Sequence, residues 1–213
     1  MAHSGPVRKL ADIVDFQATA LITMECQRGV IGDLATFPAL RRSVESTGII
    51  PTMARLAVAA RTNDIPVVHA LAHYRRDRLG SMSNAPLLAY AATIDNQLTE
   101  GSPSAELVAE LGPHPSDISS ARRHGVSPFT GTDLDSILRS RRIETIVAVG
   151  VSLNVGIVGL CIEAVNLGYR VVVPADAVAA VPARAAESML TNTIAQLALI
   201  TDVDSIIAAW KQD

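Results

Sequence analysis

The feature that most constrains the fold is the alternation of short, continuous apolar runs with longer stretches of helical periodicity. The runs lack the polar alternation of half-buried strands, and strands that are buried on both faces have this pattern. Predicted strands lie at 18–25, 65–71, 116–121, 143–149, 169–173 and 197–201. Predicted helices lie at about 43–63, 103–111, 131–141, 154–167, 182–195 and 203–211. This order predicts a doubly wound, Rossmann-like α/β fold, with about six parallel strands and helices on both faces.

The length of 213 residues is typical of a single domain, which we expect to span 1–213. An N-terminal arm is expected at 1–16, and a long connection at 72–102 contains a short helix near Pro86. A connection of that length usually serves function or an interface. Because the chain is also strongly aliphatic, with 49% hydrophobic and 3% aromatic residues, we expect a homo-oligomer, a dimer or larger.

Charge and cysteine content narrow the possible partners. The net charge of −3 gives no electrostatic case for binding nucleic acid or an anionic membrane. Cys26 and Cys161 are the two cysteines, too few for a disulfide framework and consistent with a reducing cytosol. No apolar run reaches the roughly 18 residues that span a bilayer, and the N-terminus lacks an apolar signal-peptide core. We therefore expect a cytoplasmic protein.

Four segments carry recognisable motifs. They read A-L-I-T-M-E-C-Q-R-G at 20–29, E-G-S-P-S-A-E at 100–106, A-R-R-H-G-V-S-P-F-T-G-T-D-L at 121–134 and V-G-V-S-L-N-V-G at 149–156. Together they resemble the signature of the isochorismatase-like cysteine hydrolases, over about 17–205. The resemblance implies the same α/β fold, with the site at the carboxyl ends of the strands.

The resemblance also assigns three catalytic positions, and this chain differs at each. Glu25 stands where the family has an aspartate, Arg123 where it has a lysine, and Gly156 where it has the nucleophilic cysteine. In the cysteine hydrolases a cysteine thiolate at that position attacks the substrate and forms a thioester intermediate. Glycine has no side chain, so this covalent mechanism is not possible here. True isochorismatases resemble this chain in having glycine there, and the family implies hydrolysis without a covalent intermediate for them. Arginine stays protonated and favours an ionised Glu25, either as a base that activates water or as half of an ion pair.

Five further residues are expected to bind substrate. Gln27 lies two residues after Glu25, so in a strand both side chains point to the same face of the sheet. His69 is expected in the pocket wall, and Phe129 falls on the family's aromatic position before Gly-Thr-Asp-Leu. Ser152 and Val155 belong to the turn before Gly156, where the family implies a cis bond between Val151 and Ser152. The N–H groups of Val155 and Gly156 would then form an anion-binding nest at the helix N-terminus.

Other polar residues have simpler interpretations. His69 and His73 lie four residues apart, or roughly 13 Å along a strand, so we expect no metal and no cofactor. Arg75, Arg76 and Arg78 either steer an anionic substrate or form a solvated loop. Both cysteines are expected in the core as inert thiols.

Two functions therefore remain open. The first is an isochorismatase-like hydrolase that acts on a small polar metabolite, by a non-covalent, water-based mechanism at Glu25, Arg123 and Gly156. The alternative is a catalytically silent member of the family that binds a small molecule or a protein. A closed, bidentate pair between the acid and the arginine would favour the silent protein, whereas an open pocket beside the two would favour catalysis.

Overall fold

A seven-stranded sheet forms the centre of the molecule in the computed structural model, which describes residues 9–211. All pairings between its strands are parallel, in the order β3-β2-β1-β4-β5-β7, and the short β6 pairs with β4. The strands are β1 Thr19–Met24, β2 Val67–Ala72, β3 Ile118–Arg122, β4 Thr145–Val151, β5 Arg170–Pro174, β6 Val178–Ala179 and β7 Leu199–Thr201. The predicted doubly wound α/β fold is confirmed.

Helices cover both faces of the sheet. They are α1 Leu10–Ile13, α2 Pro38–Thr47, α3 Ile49–Thr62, α4 Pro86–Ala92, α5 Leu134–Ser140, α6 Val158–Asn166, α7 Ala186–Asn192 and α8 Val203–Trp210. A π-helical turn, Leu153–Ile157, leads into α6. None of the helices described for residues 9–211 has both the length and the apolarity needed to cross a membrane.

Two predicted helices differ from the structure. The stretch 43–63 is not one helix, because Gly48 adopts a left-handed conformation at φ 65° and separates α2 from α3. The helix predicted at 103–111 is wrong beyond the single 3₁₀ turn Pro103–Ala105. The backbone beyond that turn bonds instead to the segment after β1: Val108 N donates to Cys26 O at 3.1 Å. A tertiary pairing thus replaces the helix that local sequence favours.

The core has two layers, one on each side of the sheet. Alternate strand residues such as Leu21 and Val147 pack toward α3 and α8, whereas Ile22 and Ala148 pack toward α5 and α6. The indole Nε1 of Trp210 donates to Val14 O at 3.0 Å and ties α8 to the N-terminal segment. Residues 1–8 of the predicted N-terminal arm lie outside the described residues.

Local sequence signals set several helix boundaries. Helix α4 begins at Pro86 within the long connection 72–102. The Asp202 side chain caps α8 by accepting from Ser205 N at 2.7 Å, and Gly168 follows α6 at φ 90°. Because the strands pair in parallel, the carboxyl ends of β1, β3 and β4 lie at the same edge of the sheet.

Candidate active site

A cavity of about 350 Å³ opens at the carboxyl ends of β1, β3 and β4. Glu25 follows β1, Arg122 ends β3 and Ser152 follows β4, so three strands each place a polar residue at its floor. Its walls are mostly apolar and come from the segment after β1 and from the long connection around α4. This is the location that open α/β sheets use for ligands.

Glu25 and Arg122 form an ion pair at the floor of the cavity. Arg122 Nη2 donates to Glu25 Oε1, and Arg122 Nε donates to Gly125 O at 3.0 Å. The Arg122 side chain is 5% exposed and the Glu25 side chain is 20% exposed. Arg122 Nη1 is buried and has no hydrogen-bond partner among residues 9–211, nor does any residue in that range donate to Glu25 Oε2. The pair is therefore joined at one point, and one nitrogen and one oxygen of it have no partner among the described residues.

The expectation that Arg123 faces Glu25 is wrong. Arg123 is 55% exposed, and its Nη2 lies 3.8 Å from Glu100 Oε2 at the surface. Side chains alternate along a strand, so the inward direction of Arg122 at the end of β3 turns its neighbour outward. Motif spacing alone does not separate two adjacent arginines, but the alternation along β3 does.

Gly156 is buried in the π-helical turn and lines the cavity, together with Ser152 and Val155. A Cβ placed on Gly156 would lie 2.7 Å from Val151 O and 3.2 Å from Met24 Cε. Such a close approach of backbone requires glycine unless the turn shifts. The peptide bond between Val151 and Ser152 is cis, as predicted.

The anion-binding nest expected at this turn is not formed as predicted. Val155 N already donates to Ser152 O at 3.1 Å, so it does not point at a ligand. Asn154, which also lines the cavity, accepts from Val181 N at 3.0 Å through Oδ1. The Val155 N–H is therefore not free for an anion, and the backbone at Gly156 contributes to the shape of the cavity.

Comparison with known proteins agrees with this geometry. Residues 19–205 match the family model described as the isochorismatase domain. The chain belongs to the isochorismatase family of hydrolases.

Two relatives and one solved structure illustrate the family membership. The chain is 29% identical to YwoC of Bacillus subtilis, named an uncharacterised isochorismatase family protein, over 77% of this chain and 79% of that protein. It is 32% identical to RutB of Methylorubrum extorquens, named a ureidoacrylate amidohydrolase, over 98% and 89% of the two chains. A cysteine hydrolase from Pseudomonas syringae pv. phaseolicola has the same fold, with a TM-score of 0.79, 24% identity and coverage of 97% and 98%.

Within this isochorismatase fold, Gln27 is a structural residue, and its expected place in the pocket is wrong. Its amide is fully buried: Nε2 donates to Ala72 O at 3.0 Å and to Ala105 O at 2.9 Å, and Oε1 accepts from Ala72 N at 2.9 Å. These bonds join the segment after β1 to β2 and to the turn at Pro103–Ala105. The side chain has no capacity left for substrate.

His69 also lies outside the cavity, contrary to expectation. It sits in the middle of β2, where Nδ1 is 2.7 Å from Thr23 Oγ1 and Nε2 is 2.9 Å from Asp117 Oδ2. Asp117 in turn accepts from Arg61 Nη2 at 2.6 Å. Burial lowers the pKa of His69, against the opposing effect of Asp117. No group of three or more potential metal ligands occurs among the residues that the structure describes.

Phe129 packs in the core and does not line the cavity, so that expectation is wrong as well. It is 7% exposed and stacks on Tyr169, with ring centroids 6.0 Å apart. Arg75 pairs with Asp77 at 2.7 Å on the surface, and Arg78 covers the ring of Tyr74 at 4.5 Å. Neither arginine lines the cavity, so neither reaches a bound ligand there.

Both cysteines are buried and lie apart from the cavity lining. Burial raises the pKa of the Cys26 thiol well above its ordinary range and that of Cys161 to about 12. Protonated, enclosed thiols are inert.

Several wall residues were not anticipated from the sequence. They share no motif, and come together only because the segment after β1 packs beside α4 across the cavity mouth; they include Phe37, Leu40, Tyr74, Leu88, Gln97 and Leu98. Phe37 contacts Tyr90 edge to face, with ring centroids 5.3 Å apart, and Thr36 Oγ1 donates to Gln97 Oε1 at 2.8 Å. These contacts hold the two walls together.

Proposed function

We propose that this isochorismatase-family protein hydrolyses a small metabolite without forming a covalent enzyme intermediate. Glu25 acts as the base that activates water, and Arg122 takes the position that motif spacing assigned to Arg123. The observation that carries the proposal is the open, single-point pair. Both side chains line a cavity of about 350 Å³, and Glu25 Oε2 and Arg122 Nη1 have no hydrogen-bond partner among residues 9–211.

The proposed step is balanced by one water molecule. Glu25 accepts a proton from water, and the water oxygen adds to the electrophilic carbon of the substrate. Arg122 Nη1 donates to the oxygen that gains negative charge, which stabilises the transition state electrostatically. Glu25 then returns the proton to the leaving group and is again a carboxylate.

Two features of the lining support a water-based route. Gly156 contributes no side chain at the family's nucleophile position, and neither cysteine lines the cavity. The name of the Methylorubrum extorquens relative denotes an amidohydrolase, which supports amides as one substrate class to test.

A second candidate is a silent family member that binds a ligand without turning it over. The ion pair between Arg122 and Glu25 favours this candidate, because it already engages one oxygen of the carboxylate that would have to accept a proton from water. The two candidates share the cavity and differ in whether Glu25 accepts a proton from water.

A hydrolysis screen of small amides, esters and vinyl ethers tests the proposal. We expect turnover by the wild type, loss of at least about 100-fold in Glu25→Gln, and retention in Arg123→Ala as the matched control. Binding of the same compounds without turnover in the wild type would establish the silent protein instead. Turnover that survives Glu25→Gln would remove Glu25 from the mechanism.

A further inference from the structure

The cavity carries no unbalanced charge. Among the residues that line it, Glu25 and Arg122 are the charged ones, and they neutralise each other. A charged ligand group would have to break this pair or remain unpaired, and burying an unpaired charge is expensive. The pair therefore suits a neutral group that offers one acceptor to Arg122 Nη1.

The remainder of the cavity is an apolar wall. It is built from the segment after β1, from α4, and from the turns after β3 and β4; the wall residues are Val30, Phe37, Leu40, Leu87, Leu88, Leu98, Val126, Val155 and Val181. Few polar side chains interrupt it, and two of them are already engaged: Gln97 accepts from Thr36, and Asn154 accepts from Val181 N. A ligand body that fills this space finds mainly aliphatic carbon.

We infer that the site selects uncharged substrates in which a carbonyl or ether oxygen is attached to an aliphatic body. The oxygen lies at Arg122 Nη1, and the body lies against Leu88 of α4 and Val126 in the turn after β3. This inference rests on the proposed function, since it assigns a substrate class to the same cavity. It excludes the carboxylate-bearing metabolites that a cluster such as Arg75, Arg76 and Arg78 suggests from sequence.

Aliphatic methyl ketones test the selectivity without requiring catalysis. They are neutral, they cannot be hydrolysed, and they offer one carbonyl acceptor. Titration calorimetry of the wild type with a homologous series should show affinity rising about fourfold for each added methylene, until the wall is filled. Carboxylates of the same chain length should bind at least about tenfold more weakly than the ketones.

Matched leucine variants locate the wall. Leu88→Asn places an amide in the lining and should flatten the dependence on chain length, whereas Leu199→Asn changes a residue on β7 that is 41% exposed and outside the cavity, and should leave that dependence unchanged. Val126→Thr, which has nearly the same shape, should weaken the longest ketones most. If Leu88→Asn does not fold, Val126→Thr still decides the point.

Flat affinity along the series, or preference for the carboxylates, would overturn the inference. Its failure can be told apart from failure of the proposed function. Ketone binding that rises with chain length while no compound is hydrolysed keeps the apolar selectivity and removes the hydrolase. Hydrolysis of short and charged substrates, with ketone affinity that does not rise with chain length, keeps the hydrolase and removes the apolar selectivity.

Discussion

Arg122 donates to Glu25 through Nη2 alone, while its Nη1 stays buried without a partner among the described residues. The guanidinium is held in place by a second bond from Nε to Gly125 O at 3.0 Å. Arginine offers its donors in a rigid, planar fork, so fixing two of the three nitrogens also fixes the third. The unpartnered nitrogen is thereby held in a fixed orientation beside Glu25.

The first prediction separates the two adjacent arginines. Arg122→Ala leaves Glu25 in a mostly buried position without its partner, and should lower the free energy of unfolding by about 3 kcal/mol. Any hydrolytic activity should be lost with it. Arg123→Ala changes a largely exposed side chain and should shift stability by less than about 0.5 kcal/mol.

Urea denaturation monitored by circular dichroism, together with turnover of any substrate found, measures both effects. Equal losses for the two variants would mean that the direction of β3 at its last residue differs from the structure. Full activity in Arg122→Ala would leave Glu25 without its proposed partner.

The second prediction concerns the glycines around the π-helical turn. Gly156→Ala puts a Cβ 2.7 Å from Val151 O and should destabilise the protein by about 1–3 kcal/mol. Gly159→Ala, one turn later in α6, puts its Cβ at an ordinary 3.4 Å from Ser127 Cβ and should be neutral or stabilising by about 0.5–1 kcal/mol. Thermal unfolding of both variants provides the comparison, and a stabilised Gly156→Ala would show that the turn moves freely.

The alternation of apolar runs with helical periodicity was enough to predict the fold. The apolar runs of β1, β2 and β4 are buried on both faces, and a sequence shows that pattern directly. The stretch after Pro103 was mispredicted because its backbone pairs with residues near Cys26, about eighty positions away in the chain. Local propensity does not contain such a pairing.

The site was predicted less well, for a related reason. Glu25 and Gly156 were found because a motif fixes each of them at a strand end. Arg123, Gln27 and His69 were misplaced because the direction of a side chain depends on strand register, and register shifted by one residue reverses it. The apolar wall had no motif at all, since it forms only where distant segments pack together.

The third prediction is that activity is independent of thiols. Because the pKa of Cys161 is about 12, fewer than about one molecule in a thousand carries its thiolate at pH 8, and burial raises the pKa of Cys26 further still. Iodoacetamide should leave native protein unmodified over an hour, while urea-unfolded protein takes up two labels per chain. Mass spectrometry counts the labels. Loss of activity in proportion to the label on Cys26 would contradict the mechanism without a thiol.

The fourth prediction is self-association through the long connection 72–102. Leu79 and Met82 are 70% and 59% exposed, and Tyr90 on α4 is 51% exposed, an unusual concentration of apolar surface in one segment. Light scattering at micromolar concentration should give a dimer or larger, and Leu79→Asp should shift it toward monomer. Val58→Asp is the control, because Val58 is 58% exposed on α3 outside that segment. A monomeric wild type would dismiss the interface.

The last prediction concerns the pH dependence of stability at His69. Burial is the largest influence on His69 and lowers its pKa below the ordinary value of about 6.5, although Asp117 acts in the opposite direction. Just below pH 6.5, His69 is therefore protonated in the unfolded chain but still neutral in the folded protein. The stabilisation is complete above about pH 6.5 and is lost as the pH falls below it, until the folded imidazole is also protonated.

Urea unfolding between about pH 7.5 and pH 5 should show this loss, at up to about 1.4 kcal/mol for each pH unit in the window. His69→Gln removes the titration, so it should start less stable at pH 7.5 and lose less on acidification. Asp117 belongs to a separate window. Burial opposes its ionisation, but the bonds from Arg61 and His69 prevail and lower its pKa, so its stabilisation is lost only below its ordinary value near 3.8. If wild type and His69→Gln lose equal stability on acidification, the proton that causes the loss binds elsewhere. The buried network of Thr23, His69, Asp117 and Arg61 would then not determine the pH dependence of stability.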